Sequence, residues 1–386
     1  MSIKRIEEEN IKHFLPDIPV VAIIGARQVG KTTLAKSLLK NFKDIVFLDL
    51  EKSSDRQIIK NTESFLLLNK GKAICIDEIQ MMPHVFAEMR NFVDNHKDSK
   101  FIVLGSSSPD LLRQSSESLA GRIYYFELSA FLWPEIKHKT TMQTYRLRGA
   151  MPLSILARNN EIAFTWLTNY IKTFLERDLR NFGFNIPPDT LRRLWRMLAH
   201  VNGQVLNNSQ LANSMGLSHT TIKTYIDILA NTFMLRIIEP YYVNVKKRLV
   251  KSPKVYFRDT GILHNLLNIE SFNELFAHPV YGSSWEVTVI ENILAKYKKW
   301  NYYYYRTASG NEIDLVLTKA NRIIAIEIKS SKTPKLTKGF YYALEDIKAT
   351  EAYVIAPVRM PFPLKKEVMV YSLEDFLEKE IDSDIV

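Results

Sequence analysis

Short continuous apolar runs alternate with stretches of helical period over the first third of the chain. Val20-Val21-Ala22-Ile23-Ile24, Ile45-Val46-Phe47-Leu48, Ala73-Ile74-Cys75-Ile76, Phe101-Ile102-Val103-Leu104 and residues 123–128 each read as a buried strand. The segments between them place apolar residues at helical spacing, as Leu34, Leu38 and Leu39 do. Residues 3–15 read as a short amphipathic helix with Ile3, Ile6, Ile11 and Phe14 as its apolar positions. Strands that are apolar on both faces must be covered on both faces, so the pattern predicts a parallel sheet between helices.

From Phe131 onward the pattern changes. Trp133-Pro134-Glu135 breaks the strand–helix alternation, and Gly149-Ala150-Met151-Pro152 marks a turn. A long helical pattern covers 161–181 and ends in Glu176-Arg177-Asp178-Leu179. Ser209-Gln210-Leu211-Ala212 opens a short helix, Met215-Gly216-Leu217-Ser218 makes a turn, and 220–231 makes a second helix. That is a helix-turn-helix pattern, and 235–243 and 255–259 are candidate wing strands after it. Beyond residue 272 come a helix over 285–300, strands at 302–306, 312–317 and 323–329, a helix at 337–347 and a strand at 352–356. The expected domains are 1–135, 136–270 and 271–386. With 386 residues, more than one core is expected.

Composition narrows the class. Hydrophobic residues make up 46% and charged residues 24%, the balance of a soluble globular protein. No apolar run approaches the roughly 20 residues that span a bilayer, and Lys4 and Arg5 are followed by acids rather than by a signal-peptide core. Cys75 is the one cysteine, which excludes an intramolecular disulfide and cysteine-rich zinc patterns. A cytoplasmic protein with no membrane partner is expected. The formal net charge of +10 suits contact with nucleic acid without locating it.

The candidate chemistry begins where the first apolar run meets Gly25-Ala26-Arg27-Gln28-Val29-Gly30-Lys31-Thr32-Thr33. Strand, glycine-bounded loop and helix are the context of a P-loop: backbone N–H groups and the helix N-terminus cradle a polyphosphate. Gly25, Arg27, Gln28, Val29, Gly30, Lys31, Thr32 and Thr33 are therefore candidate ATP contacts. Lys31 would reach the β- and γ-phosphates, and the Thr32 hydroxyl would ligate Mg²⁺. Asp77 and Glu78 close the third apolar run, Asp77 to hold the Mg²⁺ shell and Glu78 to polarise the attacking water. Ser106 or Ser107, after the fourth run, is a candidate γ-phosphate sensor. Arg122, after Gly121, is a candidate for projecting towards the phosphates in cis or in trans, with Arg113 and Arg177 behind it.

Taken together, these stretches with Asp77-Glu78-Ile79-Gln80, Gly105-Ser106-Ser107-Ser108 and Ser118-Leu119-Ala120-Gly121-Arg122 resemble the AAA-type branch of P-loop ATPases. More closely they resemble a bacterial and archaeal family that joins an AAA-like ATPase to a C-terminal domain of uncharacterised function. That family usually has a second glycine and an aromatic residue in the turn where this chain has Ala150 and Met151. The resemblance implies a homo-oligomer in which a neighbour's arginine completes the site, although no clear interface pattern is visible in the chain.

In the helix-turn-helix, Ser218, His219, Thr220, Thr221 and Lys223 are the positions a DNA reader would turn to the groove, and Lys246, Lys247, Arg248, Lys251 and Lys254 fall in the candidate wing. A lid or spacer role is the favoured alternative. In the last segment, strand period puts Glu327 and Lys329 on one face, and Asp314 joins them if the two strands form a hairpin. Asp314, Glu327 and the Ile328 carbonyl would suit Mg²⁺, which keeps several waters, with Glu286 adding a water-mediated contact and Lys329 stabilising a hydroxide. The order of elements with Asp…Glu-x-Lys is similar to the PD-(D/E)XK nuclease fold. The fold class expected is thus α/β: an AAA-like P-loop sheet, a helical winged-helix connector and a C-terminal nuclease-like domain. The function expected is an ATPase whose nucleotide state controls that domain on DNA. The alternative is a nucleotide-dependent regulatory module whose C-terminal domain is silent.

Overall fold

The computed structural model describes residues 3–105, 117–242, 247–365 and 368–381. The chain divides into two compact units, one of residues 1–131 with 231–233, the other of residues 132–230 with 234–386.

The first unit is built on strands β1 (Val20–Ile24), β2 (Ile45–Asp49), β3 (Ala73–Asp77), β4 (Lys100–Gly105) and β5 (Ile123–Glu127). They form one sheet in the order β2-β3-β4-β1-β5, parallel throughout. β4 therefore stands in space between β1, which carries the glycine loop, and β3, which carries the carboxylates. Every residue of β3 is buried, as its apolar run requires. Helices α1 (Ile6–Phe14), α2 (Lys31–Leu39), α3 (Ser53–Ile58), α4 (Thr62–Leu68) and α5 (Val85–Asn95) accompany the sheet. On α5 the buried positions are Val85, Phe86, Met89, Phe92 and Val93, one stripe of helical period. They join Val20, Ile74, Ile76, Phe101 and Val103 in the core.

The second unit holds both the expected connector and the C-terminal segment. A helix over Asn160–Thr173 continues through a π-helical turn at Phe174–Asp178, so the long helical pattern is present with one widened turn. Helices α6 (Asn208–Met215) and α7 (His219–Asn231) flank the Gly216 turn, whose φ of 67° suits glycine. β6 (Leu235–Ile238) and β7 (Lys254–Phe257) then pair antiparallel. Asp259 accepts hydrogen bonds from the Ala150 and Met151 amides, at 2.7 and 3.2 Å. A side chain at Gly149 would place its Cβ 2.2 Å from the Asp259 carboxylate, so that turn is a packing feature.

Helix α8 (Tyr281–Lys296) leads into β8 (Asn301–Arg306), β9 (Glu312–Lys319) and β10 (Arg322–Ile328); α9 (Lys338–Ile347) then leads to β11 (Glu351–Ile355). β12 (Phe362–Lys365) and β13 (Val368–Tyr371) complete a mixed sheet in the order β12-β13-β11-β10-β9-β8. β9 and β10 form the anticipated hairpin, whereas β12 and β13 have no counterpart in the sequence pattern. Phe340, Ala343 and Ile347 of α9 pack on Ala325, Val316 and Val354 of the sheet. No helix among the described residues is long and apolar enough to cross a membrane.

Candidate functional site

β1 delivers the chain into the glycine loop. A side chain at Gly25 would put its Cβ 2.3 Å from the Leu128 carbonyl oxygen, and Gly30 has a φ of 101°, so both positions require glycine. Val29 is packed inside, at 1% exposure, and its carbonyl accepts from Arg5 Nη1 at 3.0 Å. The same guanidinium donates to the Ser129 carbonyl at 2.7 Å, so Arg5 ties the loop to the exit of β5. Sequence reasoning missed Arg5, which there is only a charge within the amphipathic segment 3–15. α2 starts at Lys31, whose ammonium donates to the Gly25 and Ala26 carbonyls at 3.0 Å each. Burial lowers the Lys31 pKa, and the nearby Glu78 and Asp77 carboxylates oppose that shift.

Because β3 lies one strand from β1, its C-terminal end meets the first turn of α2. Thr32 Oγ1 donates to Asp77 Oδ2 at 2.7 Å, and the Glu78 amide donates to Asp77 Oδ1 at 3.0 Å. Glu78 has a φ of 54°, a left-handed conformation that turns the chain sharply at the strand end. Its carboxylate accepts from the Gln80 amide, a partner that the sequence does not announce. Burial raises the pKa of both Asp77 and Glu78, against the lowering influence of Thr32 and Lys31 on the first and Lys31 and Gln80 on the second. Arg27 pairs with Glu51 at 2.8 Å, Gln28 holds a φ of 63°, and Thr33 is exposed beside Thr32. The donor set fits Mg²⁺, since a hydroxyl and a carboxylate already converge at the mouth of the loop.

Arg122 does not join this group within its own chain. It immediately precedes β5, which runs parallel to β1, so it stands at the sheet edge opposite the glycine loop. There it forms a two-point pair with Asp94, at 2.5 and 2.9 Å. Action in cis is excluded by strand direction, which spacing alone does not reveal. Ser106, Ser107, Arg113 and Lys246 lie outside the described residues. Arg177 is exposed and paired with its neighbour Asp178 at 3.3 Å.

The second cluster lies in the other unit. β9 and β10 pair as far as Leu315 and Ile326; beyond, the Ile328 amide donates to Asp314 Oδ2 at 2.9 Å. Lys329 Nζ is 2.6 Å from Glu327 Oε1, whereas Glu327 Oε2 is buried with no hydrogen-bond partner among the described residues. Glu286 enters from α8 and accepts from the Tyr256 hydroxyl at 2.7 Å. Burial, and next the Asp314 charge, raises the pKa of both Glu327 and Glu286. Among the described residues no group of three His, Cys, Asp or Glu side chains is close enough to hold a metal ion. A hard cation here would have Asp314 and Glu327, backbone oxygen and water to draw on, and the Glu327 oxygen left without a hydrogen bond among the described residues fits one.

Two further residues stand elsewhere than their place in the sequence suggests. Lys254, expected in a basic wing, is 2% exposed and sits with its ammonium 2.5 Å from Glu312 and 3.5 Å from Asp314. Lys247 pairs with Asp346 at 2.7 Å. Two of the wing's charges, Lys247 and Lys254, are thus answered inside the unit, while Arg248 and Lys251 lie beside Tyr242 in an open cavity of about 700 Å³. The signal was available in part: Lys254 and Tyr256 are two apart in a strand and so share a face.

Known proteins match both units. Residues 17–137 match an AAA domain, 139–273 the domain of unknown function DUF8612, and 281–376 the domain of unknown function DUF4143. The Walker-type ATPase PABY2304 of Pyrococcus abyssi is similar at 15% identity, covering 69% of this chain and 96% of that one, with a TM-score of 0.48. A variant of RuvB from Thermotoga maritima is similar at 16% identity, covering 61% and 89%, with a TM-score of 0.29. At such scores these likenesses carry no functional inference. An uncharacterised protein of Haemophilus influenzae is 21% identical over 344 residues, 80% of this chain and 82% of that one. Uncharacterised proteins Rv2008c of Mycobacterium tuberculosis and Mb2031c of Mycobacterium bovis are each 37% identical over 368 residues, 95% of this chain and 83% of theirs. With that identity over nearly its whole length, the chain belongs to the family of these mycobacterial proteins, and its first unit carries an AAA-type P-loop ATPase domain.

Proposed function

We propose that this protein hydrolyses ATP and that its nucleotide state controls a metal-dependent, nuclease-like C-terminal site acting on DNA. The observation that carries the first half is the contact of Thr32 Oγ1 with Asp77 Oδ2 at 2.7 Å, with Lys31 and Glu78 beside it. Lys31 releases the loop carbonyls to meet the β- and γ-phosphates. Thr32 and Asp77 would hold Mg²⁺, which would supply positive charge against the phosphates. Glu78 accepts a proton from the attacking water once it turns from Gln80. Phosphate release from ATP by the full chain, lost in Glu78→Gln while ATP binding persists, tests this. A Glu78→Gln variant that turns over ATP normally refutes it.

The second half rests on Asp314, Glu327 and Lys329 being gathered where β9 and β10 part, following α8 and preceding α9 and β11. Asp314 and Glu327 are assigned as metal-holding groups, and Lys329 as the cation beside the nucleophile. The segment 136–270, with its helix-turn-helix and β6–β7 hairpin, is assigned as a winged-helix connector. The chain's net charge of +10 favours DNA as the partner. Metal-dependent cleavage of supercoiled, linear and single-stranded DNA is the test, and cutting by wild type but not by Glu327→Ala is expected. The rival regulatory function is favoured by one feature, that Lys254 already answers Asp314. A wild type that cuts nothing with any metal would remove the nuclease reading and leave the regulatory one.

A further inference from the structure

The carboxylates Glu286, Glu312, Asp314 and Glu327 do not face one another alone; β7 inserts one face among them. Lys254 Nζ lies 2.5 Å from Glu312 Oε1 and 3.5 Å from Asp314 Oδ1, over the Tyr304 ring at 5.5 Å from its centre. Two residues on, the Tyr256 hydroxyl donates to Glu286 Oε2 at 2.7 Å. The strand that delivers both is held on its other edge by residues 203–206. Gly203 N donates to the Val255 carbonyl at 2.7 Å, Val255 N to Gln204 at 3.1 Å, and Leu206 N to Pro253 at 2.8 Å. Gly203 has no room for more, since an added Cβ would lie 2.9 Å from Ser283 and 3.2 Å from Glu286 Oε2.

A lysine this deeply buried needs its carboxylates, and they need a positive charge. The Asp314 oxygen that faces the ammonium is one a divalent cation would use, because Oδ2 already accepts the Ile328 amide. An ammonium and a divalent cation on the same carboxylate oxygen repel each other strongly away from bulk water. We infer that Lys254 is the resident cation of the C-terminal site and competes with a divalent hard cation, such as Mg²⁺ or Mn²⁺, for Asp314. Metal entry then displaces the ammonium and loosens β7 from its partners at 203–206. This rests on the proposed metal role of Asp314 and Glu327, and adds that the connector hairpin supplies the competitor.

The test uses the full chain without nucleotide, in an Asp77→Asn background so that Mn²⁺ is read at the C-terminal site. Calorimetric titration compares Lys254, Lys254→Met and Lys254→Met with Glu327→Gln. Loss of the competing charge should tighten Mn²⁺ binding by about tenfold or more, and the added Glu327→Gln should abolish the gain. A folded Lys254→Met that binds Mn²⁺ no tighter than its parent overturns the competition while leaving the metal site standing. If neither binds Mn²⁺, the metal site falls and this inference with it. Should Lys254→Met fail to fold, hydrogen exchange on the parent decides. Mg²⁺ that binds and speeds exchange at 203–206 and 253–257 supports displacement, and unchanged or slower exchange overturns it.

Discussion

The two carboxylate-bearing sites differ in how they obtain positive charge. At the glycine loop the cation, Lys31, comes from the same contiguous motif that forms the cradle, and it rests on backbone carbonyls that a phosphate can replace. At the C-terminal cluster the cations Lys254 and Lys329 are already engaged with Glu312, Asp314 and Glu327. The first is arranged to receive an anion, the second around an excess of acid that side-chain cations partly answer. Local sequence can therefore encode the first, while the second depends on strands brought from well apart in the chain.

The largest effects should come at the glycine loop. Lys31→Ala is expected to abolish measurable ATP binding, whereas Glu78→Gln should bind ATP and turn it over about 10²–10⁴-fold more slowly. Equilibrium binding of a labelled nucleotide beside a phosphate-release assay separates the two. Equal loss of binding in both would make Glu78 another cradle residue.

At the C-terminal cluster, stability together with cleavage separates the two roles of Glu327. Glu327 carries a buried oxygen near Asp314 that has no hydrogen-bond partner among the described residues, so Glu327→Ala should leave the melting temperature unchanged or raise it while cleavage disappears. If Glu327 serves chiefly to answer Lys329, its removal should instead cost roughly 3–5 kcal/mol, reduced by the 31% exposure of the lysine side chain. Thermal unfolding of the two proteins decides between an active cluster and a structural pair.

A third effect concerns the second unit as a whole. His264 is fully buried; its Nδ1 donates to the Leu147 carbonyl at 2.9 Å, and its Nε2 accepts from Ser284 at 2.8 Å. Burial depresses its pKa to about 4. The unfolded chain then takes up a proton near pH 6.5 that the folded chain refuses until about pH 4. Stability is complete above the unfolded value and falls as pH drops through that window, by roughly 3 kcal/mol. Denaturant unfolding from pH 7 to 4 should show this slope, and the difference between wild type and His264→Gln isolates it from titrating carboxylates. Parallel curves would refute it.

The smallest effect is expected at Arg122. Its pair with Asp94 is solvent-exposed, and each group stabilises the other's charged form, raising the Arg122 pKa and lowering that of Asp94. Arg122→Ala should leave ATP turnover and melting temperature near wild type. A marked fall in turnover with intact ATP binding would mean that a second copy brings Arg122 to the phosphates, testable by mixing it with Lys31→Ala.

Periodicity and motif made the first unit legible: the five strands, the glycine loop and Asp77 with Glu78 follow from contiguous residues. They are legible because a buried parallel strand must be apolar throughout and a phosphate cradle must be glycine-bounded. The strands β9 and β10 were visible from their apolar runs, and Asp314 was expected beside Glu327 and Lys329 only if the two paired as a hairpin, as they do. Arg5, Gln80 and Tyr256 were not, since an arginine, an amide or a tyrosine has the same appearance in sequence whether it meets solvent or a partner. β12 and β13 escaped because short strands around Pro363 carry little periodic signal.

By itself the sequence determined which residues could do chemistry and which segments would be strands or helices, because those properties depend on near neighbours and on side-chain type. Tertiary structure alone decided where charges end up. Strand direction put Arg122 at the edge away from Lys31, although a glycine precedes it as one would for a residue reaching towards phosphates. Sheet packing drew Lys254 out of a basic run and into a buried cluster of acids. A lysine has the same charge in either setting; whether it meets water or Asp314 depends on a chain crossing of about sixty residues, and no local pattern records that partner.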